Sequence, residues 1–296
     1  MRILVTGASG NLGAYVLDAL RGTDHERVAW SGRAGGERSG VTLGPIDLLD
    51  CEAIRSRLDQ DDPDAVVHLA AVSAATEVRR DLPKARAVNV EATGEIASWC
   101  ARRDRRLVFS STDLVFDGSR SWNREDDPAE PILAYGRTKR EAERLVLSTP
   151  GGLVARLPLM FGPSRCGKPG FFDGAMSDLR RGSPRSFFAD EFRSPLDYAT
   201  AAAILVHLVP MEVAGTLHVA GVERVSRFDL MRRSAAAMGL DASLVRPSLR
   251  GDAPGAEPRP ADVSLSTERL AALLPGIIRP RIEEVDWTLA SRAGLS

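Results

Sequence analysis

Residues 1–13 read MRILVTGASGNLG, and they pass from a short apolar run into closely spaced glycines and then into a helical pattern. The apolar run predicts a strand, and the helical pattern covers residues 12–20. Gly7 allows a sharp turn, Gly10 lets the backbone approach a pyrophosphate, and Gly13 lets the helix pack against the strand. Glycines also gather in ordinary turns. The strand before them and the helix after them favour a dinucleotide-binding turn.

The composition is that of a globular protein and argues against several kinds of partner. The 296 residues are 44% hydrophobic, and 39 Lys and Arg stand against 40 Asp and Glu. This balance leaves no excess positive charge for nucleic acid or an anionic membrane. No apolar run approaches the roughly 18 residues that span a bilayer, and the chain begins at once with the nucleotide strand. The three cysteines lack CxxC spacing. We therefore expect a cytoplasmic protein without disulfides or a metal site.

The end of the second strand bears on the choice of dinucleotide. Residues 27–30 form this predicted strand, and Arg33 lies about 20 residues beyond Gly13, where an NAD enzyme usually has Asp or Glu. A guanidinium suits a 2′-phosphate, although an arginine in this glycine-rich loop can equally be solvated. We predict NADP(H) as the cofactor, with NAD(H) as the alternative.

The alternation of strands and helices predicts an α/β fold with a doubly wound parallel sheet of the Rossmann type. A short strand over residues 41–43 and a continuous apolar strand over residues 65–69 extend the pattern. Ligands bind at the carboxyl ends of such strands, so the polar residues 73–76 are expected to border the site. His68, inside the apolar strand, is interpreted as a packing residue and not as a catalytic one.

The chain is predicted to have two parts. Residues 1–160 form the dinucleotide-binding domain, and residues of about 186–219 return to it. A small, discontinuous C-terminal lobe of residues 161–185 and 220–285 is expected to bind the substrate. The protein could also form a homodimer, on which the sequence does not decide.

A hydroxyl cluster and a Tyr–Lys pair supply the groups that carbonyl reduction needs. A strand over residues 106–110 runs into SSTDLVFDG, and Lys139 follows Tyr135 by four residues, so both side chains leave one face of a helix. A ketone that becomes an alcohol takes a proton on oxygen as hydride reaches carbon. A phenol can supply the proton, an ammonium can ease ionisation of the phenol, and a hydroxyl can hold the oxyanion. YxxxK also occurs in ordinary helices, but together these features predict hydride transfer from a nicotinamide.

The motifs taken together resemble one family. TGASGNLG, SSTDLVFDG, YGRTKREAE, FRSPLDY and RPADVSL follow the order found in the extended short-chain dehydrogenases/reductases, within the dTDP-4-dehydrorhamnose reductase group, and they cover nearly the whole chain. The resemblance implies NADPH-dependent reduction of a 4-keto group on a nucleotide-linked deoxysugar. A nucleotide-sugar epimerase or dehydratase is the nearest enzymatic alternative.

The resemblance also implies roles for individual residues. It implies a catalytic triad of Thr112, Tyr135 and Lys139. Substrate contacts are expected from Ser73, from Asp113 beside the sugar, and from Arg193 at a diphosphate. The residues expected at the cofactor are Gly7, Ser9, Gly10, Asn11, Leu12, Arg33, Asp47, Leu48, Leu69, Ala70, Ala71, Asn89, Tyr135 and Lys139.

Two departures from the pattern leave a further alternative open. Leu114 stands where the reductase group usually has Tyr, and Leu159 with Met160 stands where it usually has Trp. Both changes remove aromatic surface that would line a sugar or nicotinamide pocket. The segment RLPLMFG and the stretch NVEAT are also similar to the regulatory β subunit of methionine adenosyltransferase. A non-catalytic, NADP-binding regulatory subunit is therefore the second reading of the chain.

Overall fold

The computed structural model describes residues 1–32, 35–252 and 258–287, and it is built around a sheet of eight strands. Arg33 lies outside the described residues, so its role stays a prediction. The strands are β1 (Arg2–Thr6), β2 (Glu26–Ser31), β3 (Gly36–Arg38), β4 (Val41–Pro45), β5 (Ala65–His68), β6 (Arg106–Thr112), β7 (Leu153–Leu157), β8 (Met160–Phe161), β9 (Arg185–Phe188), β10 (Phe192–Arg193), β11 (Leu196–Asp197), β12 (Gly215–His218), β13 (Val225–Ser226) and β14 (Val245–Ser248).

The helices lie between these strands. They are α1 (Asn11–Leu20), α2 (Cys51–Asp61), α3 (Ala75–Arg80), α4 (Leu82–Arg86), α5 (Ala92–Arg103), α6 (Ala134–Leu147), α7 (Phe171–Arg180), α8 (Tyr198–Leu208), α9 (Arg227–Ala237) and α10 (Glu268–Leu273). Within the described residues, no helix has both the length and the apolar character needed to cross a membrane.

The large sheet has the strand order β12-β7-β6-β5-β1-β2-β4-β3. All its neighbouring strands are parallel except β3, which runs antiparallel to β4. The predicted α/β doubly wound fold is thereby confirmed. The sequence does not predict the edge strand β3, because its three residues carry no apolar alternation.

Alternate residues of β1 enter two separate cores. Ile3 and Val5 join the core that contains α1 and α8, whereas Leu4 joins the core under α2, α5 and α6. The strand is buried on both faces, which explains its continuous apolar sequence. From β1 the strand order runs outward to β2 on one side and to β5 on the other. A ligand crevice is expected between the carboxyl ends of β1 and β5, where the order reverses.

A third core lies outside the large sheet. Helices α7 and α9 and the parallel pair β9–β14 pack around a group that includes Phe172, Met176, Leu230 and Met231. The ring of Trp287 stacks on Phe172 with its centroid 5.6 Å away. Both helices belong to the stretches predicted for the small lobe, and β12 joins the large sheet. The exact bounds of the two predicted parts stay a prediction.

Two local features depart from the sequence expectations. The stretch 73–76 was expected to be a loop, but α3 begins within it at Ala75, and Glu77 lies in the first turn of that helix. The helical stretch over residues 82–103 contains a π-helical turn at Ala87–Glu91, which apolar periodicity does not reveal. π-Helical turns are frequent at functional sites, and this one carries Asn89.

Candidate active site

The glycine turn after β1 has almost no space for side chains. Gly7 has φ +66°, and a Cβ added there would lie 2.8 Å from the backbone nitrogen of Ala70. A Cβ on Gly13 would lie 2.3 Å from the carbonyl oxygen of Gly7. Gly10 is the N-cap residue of α1, and no side chain forms a capping hydrogen bond there. The first-turn N–H groups of a helix have no acceptor within the helix, so they can bind a phosphate. The turn therefore fits a dinucleotide.

A cavity of about 490 Å³ opens beside this turn, and we call it the fingerprint cavity. It lies between the glycine turn, the end of β2 and the segment that follows β5. Most of the residues predicted at the cofactor line it, namely Gly7, Ser9, Gly10, Asn11, Leu12, Leu48, Leu69, Ala70 and Ala71, together with the predicted substrate residue Ser73.

Four other residues predicted at the cofactor, Asp47, Asn89, Tyr135 and Lys139, do not line this cavity. The Oδ1 atom of Asp47 accepts a hydrogen bond of 3.1 Å from the N–H of Leu49. Asn89 is buried behind the cavity, where its amide bonds both backbone groups of Val72, at 2.8 and 3.0 Å, and donates to the Thr138 hydroxyl at 3.0 Å. Asn89 thus ties the segment after β5 to α6.

The side chain of Asn11 holds a second segment at the mouth of the fingerprint cavity. Its Oδ1 accepts hydrogen bonds from the Ser164 hydroxyl at 2.7 Å and from the backbone N–H groups of Arg165 and Cys166 at 3.1 and 3.2 Å. Arg165 pairs with Asp18 on α1. The sequence patterns give no signal for this contact, because the partners are about 150 residues apart.

His68 has the packing environment expected for it. Its ring nitrogens lie 2.6 Å from the Thr6 hydroxyl and 3.0 Å from the Thr93 hydroxyl, all three being buried. Burial, with a smaller contribution from the charge of Lys139, lowers the pKa of the imidazole to about 3. The ring is therefore neutral at physiological pH and joins β1, β5 and α5.

A second cavity of about 470 Å³ adjoins the first. Ser73 and Tyr198 line both, so the two form one cleft. The second cavity is lined by Thr112, Asp113, Tyr135 and Arg193 among others. Sequence reasoning missed Tyr198, which stacks on Tyr15 at 5.5 Å between ring centroids. It lies at the first position of α8, where the apolar periodicity of the helix conceals it.

Thr112 is the last residue of β6, and Tyr135 is the second residue of α6. The Thr112 hydroxyl donates to Asp113 at 3.2 Å and accepts from the N–H of Leu114 at 3.2 Å. Burial and then the charge of Asp113 raise the pKa of the Tyr135 phenol. The phenol is therefore protonated at neutral pH, which is the state a proton donor needs.

Lys139 lies one helical turn after Tyr135 and is 1% exposed. Burial lowers the pKa of its ammonium to about 7, against the opposing charge of Glu143. The Nζ atom lies 3.9 Å from the centroid of the Phe109 ring, a cation–π contact that partly replaces lost hydration. A small change in surroundings can thus decide whether Lys139 carries its charge.

A buried ion pair fixes α6 against the sheet. Glu143 accepts from the Ser111 hydroxyl on β6 at 2.6 Å and from two nitrogens of Arg156 on β7 at 2.9 and 3.0 Å. Both charged side chains are at most 2% exposed. Because Glu143 lies one turn after Lys139, these contacts set where Tyr135 and Lys139 stand relative to Thr112.

Arg193, predicted at a diphosphate, makes two buried ion pairs. It donates to Asp113 Oδ1 at 2.8 Å and to Glu191 Oε1 at 3.0 Å. The other oxygen of Asp113, Oδ2, is buried and has no hydrogen-bond partner among the described residues. Asp113 thus faces the second cavity with one carboxylate oxygen held and one left to accept a hydrogen bond.

With this geometry established, sequence comparison places the chain in a family. The family model described as RmlD substrate binding domain matches residues 1–291. The chain belongs to the RmlD substrate-binding domain family. This confirms the predicted resemblance.

Named relatives of this RmlD-family protein cover most of its length. It is 32% identical to the probable low-salt glycan biosynthesis reductase Agl14 of Haloferax volcanii, over 90% of both chains. It is 31% identical to dTDP-4-dehydrorhamnose reductase of Mycolicibacterium smegmatis, over 91% of this chain and 79% of that protein. It is 29% identical to methionine adenosyltransferase 2 subunit beta of Bos taurus, over 92% of this chain and 82% of that protein. The reductase names agree with the prediction of an NAD(P)-dependent oxidoreductase.

Solved structures share the fold of this RmlD-family protein along almost its whole length. A hypothetical dTDP-4-dehydrorhamnose reductase from Sulfolobus tokodaii superposes with a TM-score of 0.83 at 27% identity, covering 96% of this chain and 99% of that one. The dTDP-4-dehydrorhamnose reductase of Bacillus anthracis, solved in complex with NADP, gives a TM-score of 0.82 at 21% identity, covering 96% of each chain.

The aliphatic departures noted in the sequence of this RmlD-family chain all line the second cavity. Leu114, Leu159 and Met160 line it together with Leu133 and Phe171. Thr112, Asp113, Tyr135 and four arginines line it as well. The cavity therefore combines apolar side chains with polar and charged ones.

Proposed function

We propose that the protein reduces a 4-keto group on a nucleotide-linked deoxysugar with NADPH. The main observation behind this proposal is that two cavities lie next to each other. One fits a dinucleotide, the other contains Thr112 and Tyr135, and they share Ser73 and Tyr198. A reducible carbonyl in the second cavity could then meet a cofactor in the first.

The chain's own residues supply the rest of the chemistry. When bound, NADPH supplies hydride. The glycine turn and the start of α1 would bind its pyrophosphate, and Lys139 would hold its ribose. Tyr135, kept protonated by burial and by Asp113, donates a proton to the carbonyl oxygen. The Thr112 hydroxyl turns from Asp113 toward the developing oxyanion and donates to it.

The charges of the second cavity support an anionic substrate. Arg79, Arg193, Arg227 and Arg259 line it, and Asp113 is the acidic residue among its described lining. This excess of positive charge suits the diphosphate of a nucleotide sugar, since guanidinium groups bind phosphate in bidentate fashion. The aliphatic side chains of the lining suit the deoxygenated part of the sugar.

The decisive experiment is an assay of NADPH oxidation with dTDP-, UDP- and GDP-linked 4-keto sugars. We expect one of them to consume NADPH in equal amount to the alcohol formed. An epimerase or dehydratase would convert its substrate without net consumption, because such enzymes retain their nicotinamide through the cycle. Conversion without NADPH loss would therefore move the assignment to that class.

A regulatory role is the second candidate, and one observation favours it. Leu114, Leu159 and Met160 replace aromatic residues of the reductase group, and the similarity to a methionine adenosyltransferase β subunit extends over 92% of the chain. Tight NADPH binding and a stable complex with another protein, without turnover of any keto sugar, would support this alternative.

A further inference from the structure

Glu191 is a fully buried carboxylate that three arginines share. It lies between β9 and β10 and is 0% exposed. Its Oε1 accepts from Arg193 at 3.0 Å and from Arg227 at 3.4 Å, and its Oε2 accepts from Arg259 at 3.4 Å. Sequence reasoning missed this residue, because an acid beside an apolar strand has no signature of its own.

The three arginines lie in segments that backbone pairing brings together, and their side chains share one carboxylate. Arg193 belongs to β10, Arg227 opens α9, and Arg259 lies in the segment that precedes Asp262. β10 pairs with β13 just before α9, and the N–H of Phe192 donates to the carbonyl of Ala261. All three arginines line the second cavity, whereas Glu191 does not. The backbone therefore places the three segments, and the Glu191 side chain is the acceptor that their guanidinium groups share.

The three arginines differ in their exposure and in the number of hydrogen-bond donors that remain for a ligand. Arg193 is 5% exposed, and its two terminal nitrogens are engaged by Asp113 and Glu191. The side chains of Arg227 and Arg259 are 21% and 39% exposed. Each is braced over a ring, Arg227 at 5.4 Å from Phe171 and Arg259 at 5.3 Å from Phe188. With one contact each to Glu191, they retain other donors for a ligand.

Three guanidinium groups so close together would repel one another without a counter-charge. Burial would raise the pKa of the Glu191 carboxyl, but the charges of Arg193, Arg227 and Arg259 outweigh burial and lower it. The carboxylate therefore stays ionised and holds the cluster together at physiological pH.

We infer that Glu191 is a positioning residue for the anionic half of the substrate. It orients Arg227 and Arg259 to bind a nucleoside diphosphate, and it anchors Arg193, which in turn fixes Asp113. This role rests on the proposed function for the identity of the ligand, but its own evidence is the geometry around Glu191.

The test measures binding of dTDP to the NADPH-loaded protein by calorimetry. We expect Glu191→Gln to weaken dTDP binding about tenfold, because the guanidinium groups lose their orientation. NADPH affinity should be unchanged, since Glu191 lies outside the fingerprint cavity. The direction of the change in dTDP affinity distinguishes two roles of Glu191. If Glu191 acted only as a negative charge that repels the anionic ligand, its removal would tighten dTDP binding. Unchanged or tighter binding would therefore overturn the inference.

Two further variants provide a charge-retaining substitution and a matched control. Glu191→Asp keeps the buried negative charge that the three arginines need in the folded protein, but its carboxylate is shorter by one methylene. We expect this variant to lose about threefold in dTDP affinity. Unchanged affinity in Glu191→Asp would also overturn the inference. The matched control is Glu223→Gln, which breaks an ion pair to Arg233 of 2.9 Å in the same region but lines neither cavity. It should leave dTDP affinity as in the wild type.

A double variant separates positioning from general destabilisation. If Glu191 acts through Arg259, Glu191→Gln should lower dTDP affinity less in the Arg259→Gln background than in the wild type. The Arg259→Gln background already lacks the guanidinium that Glu191 would orient, so the two effects are not additive. Full additivity would contradict the inference. A wild type that binds dTDP but reduces no keto sugar would refute the proposed function alone. A wild type that binds none of dTDP, UDP and GDP would overturn the role of Glu191.

Discussion

Tyr135 and Asp113 show how a neighbouring carboxylate affects the protonation state of a phenol. The phenol of Tyr135 is harder to ionise than usual because of burial and the charge of Asp113. Burial also raises the pKa of Asp113, against the opposing charge of Arg193. A tyrosine that keeps its proton is suited to reduce a carbonyl, whereas oxidation of an alcohol would need its anion.

Replacement of Tyr135 by Phe tests this proton donor. We expect turnover to fall by a factor on the order of 10²–10⁴, the usual cost of losing a general acid, with NADPH affinity nearly intact. Single-turnover kinetics and NADPH titration measure the two effects. Tyr15→Phe removes a phenol that donates to the Pro163 carbonyl and lines neither cavity, and it should change turnover little. Unchanged turnover in Tyr135→Phe would remove the phenol from the mechanism.

Arg33 carries the predicted preference for NADP(H). If its guanidinium binds the 2′-phosphate, Arg33→Ala should weaken NADPH binding by about tenfold or more and leave NADH binding nearly unchanged. Titration of both dinucleotides into wild type and variant measures the ratio. A preference that survives the substitution would show that the assignment of Arg33 is wrong.

At the scale of elements, α6 gathers the reactive groups and the contacts that orient them. Tyr135, Lys139 and Glu143 follow one another at intervals of four residues, so they share a face of the helix. Asn89 binds Thr138 on the same helix, and Glu143 binds Ser111 and Arg156 on the sheet. The π-helical turn at Ala87–Glu91 brings the Asn89 amide between α6 and the segment after β5. The helix is thereby held at both ends of its reactive face.

The charge of Lys139 predicts a pH dependence. With a pKa lowered to about 7, Lys139 is charged below that pH and becomes neutral as the pH rises through it. We therefore expect kcat/KM for NADPH, which reports the free enzyme, to fall above about pH 7. In Lys139→Arg the group stays charged, so this fall should disappear, although the overall rate drops because the larger fork fits poorly. A fall at the same pH in both proteins would assign the titration to another group.

At the scale of the whole molecule, the cleft lies where the strand order reverses. The carboxyl ends of β1 and β5 border the fingerprint cavity, and the end of β6 carries Thr112 into the second cavity. The third core contains residues of α9, and Arg193, Arg227 and Arg259 line the second cavity. Residues at the edge of the large sheet and residues beside the third core therefore line one cleft.

Tyr198 touches both cavities and should affect both ligands. We expect Tyr198→Ala to weaken NADPH and dTDP binding together, each by about tenfold, because a ring between the two cavities is lost. Tyr198→Phe keeps the ring and its stacking on Tyr15, so it should bind both ligands nearly as the wild type does. Calorimetric titration of each ligand checks this. Loss of one affinity alone would show that Tyr198 belongs to a single cavity.

Features that depend on neighbours along the chain could be predicted from the amino-acid sequence. The strand, turn and helix of residues 1–20 follow from apolar spacing and from closely spaced glycines, of which Gly7 and Gly13 leave no room for a Cβ. The pairing of Tyr135 with Lys139 on one face follows from helical geometry. Strands alternating with helices predict the parallel sheet, because parallel neighbours need a crossover between them.

Contacts between distant parts of the chain became known from the folded structure. Arg193 was expected to face a diphosphate, yet its pairing with Asp113 joins residues 80 positions apart, and no local pattern encodes that contact. Asn89 was expected at the cofactor, but packing of the π-helical turn directs its amide to Val72 and Thr138. The role of Glu191 depends on three segments folding to one point. Local periodicity specifies which face of an element is buried, whereas the partner across that face is set by how the elements pack.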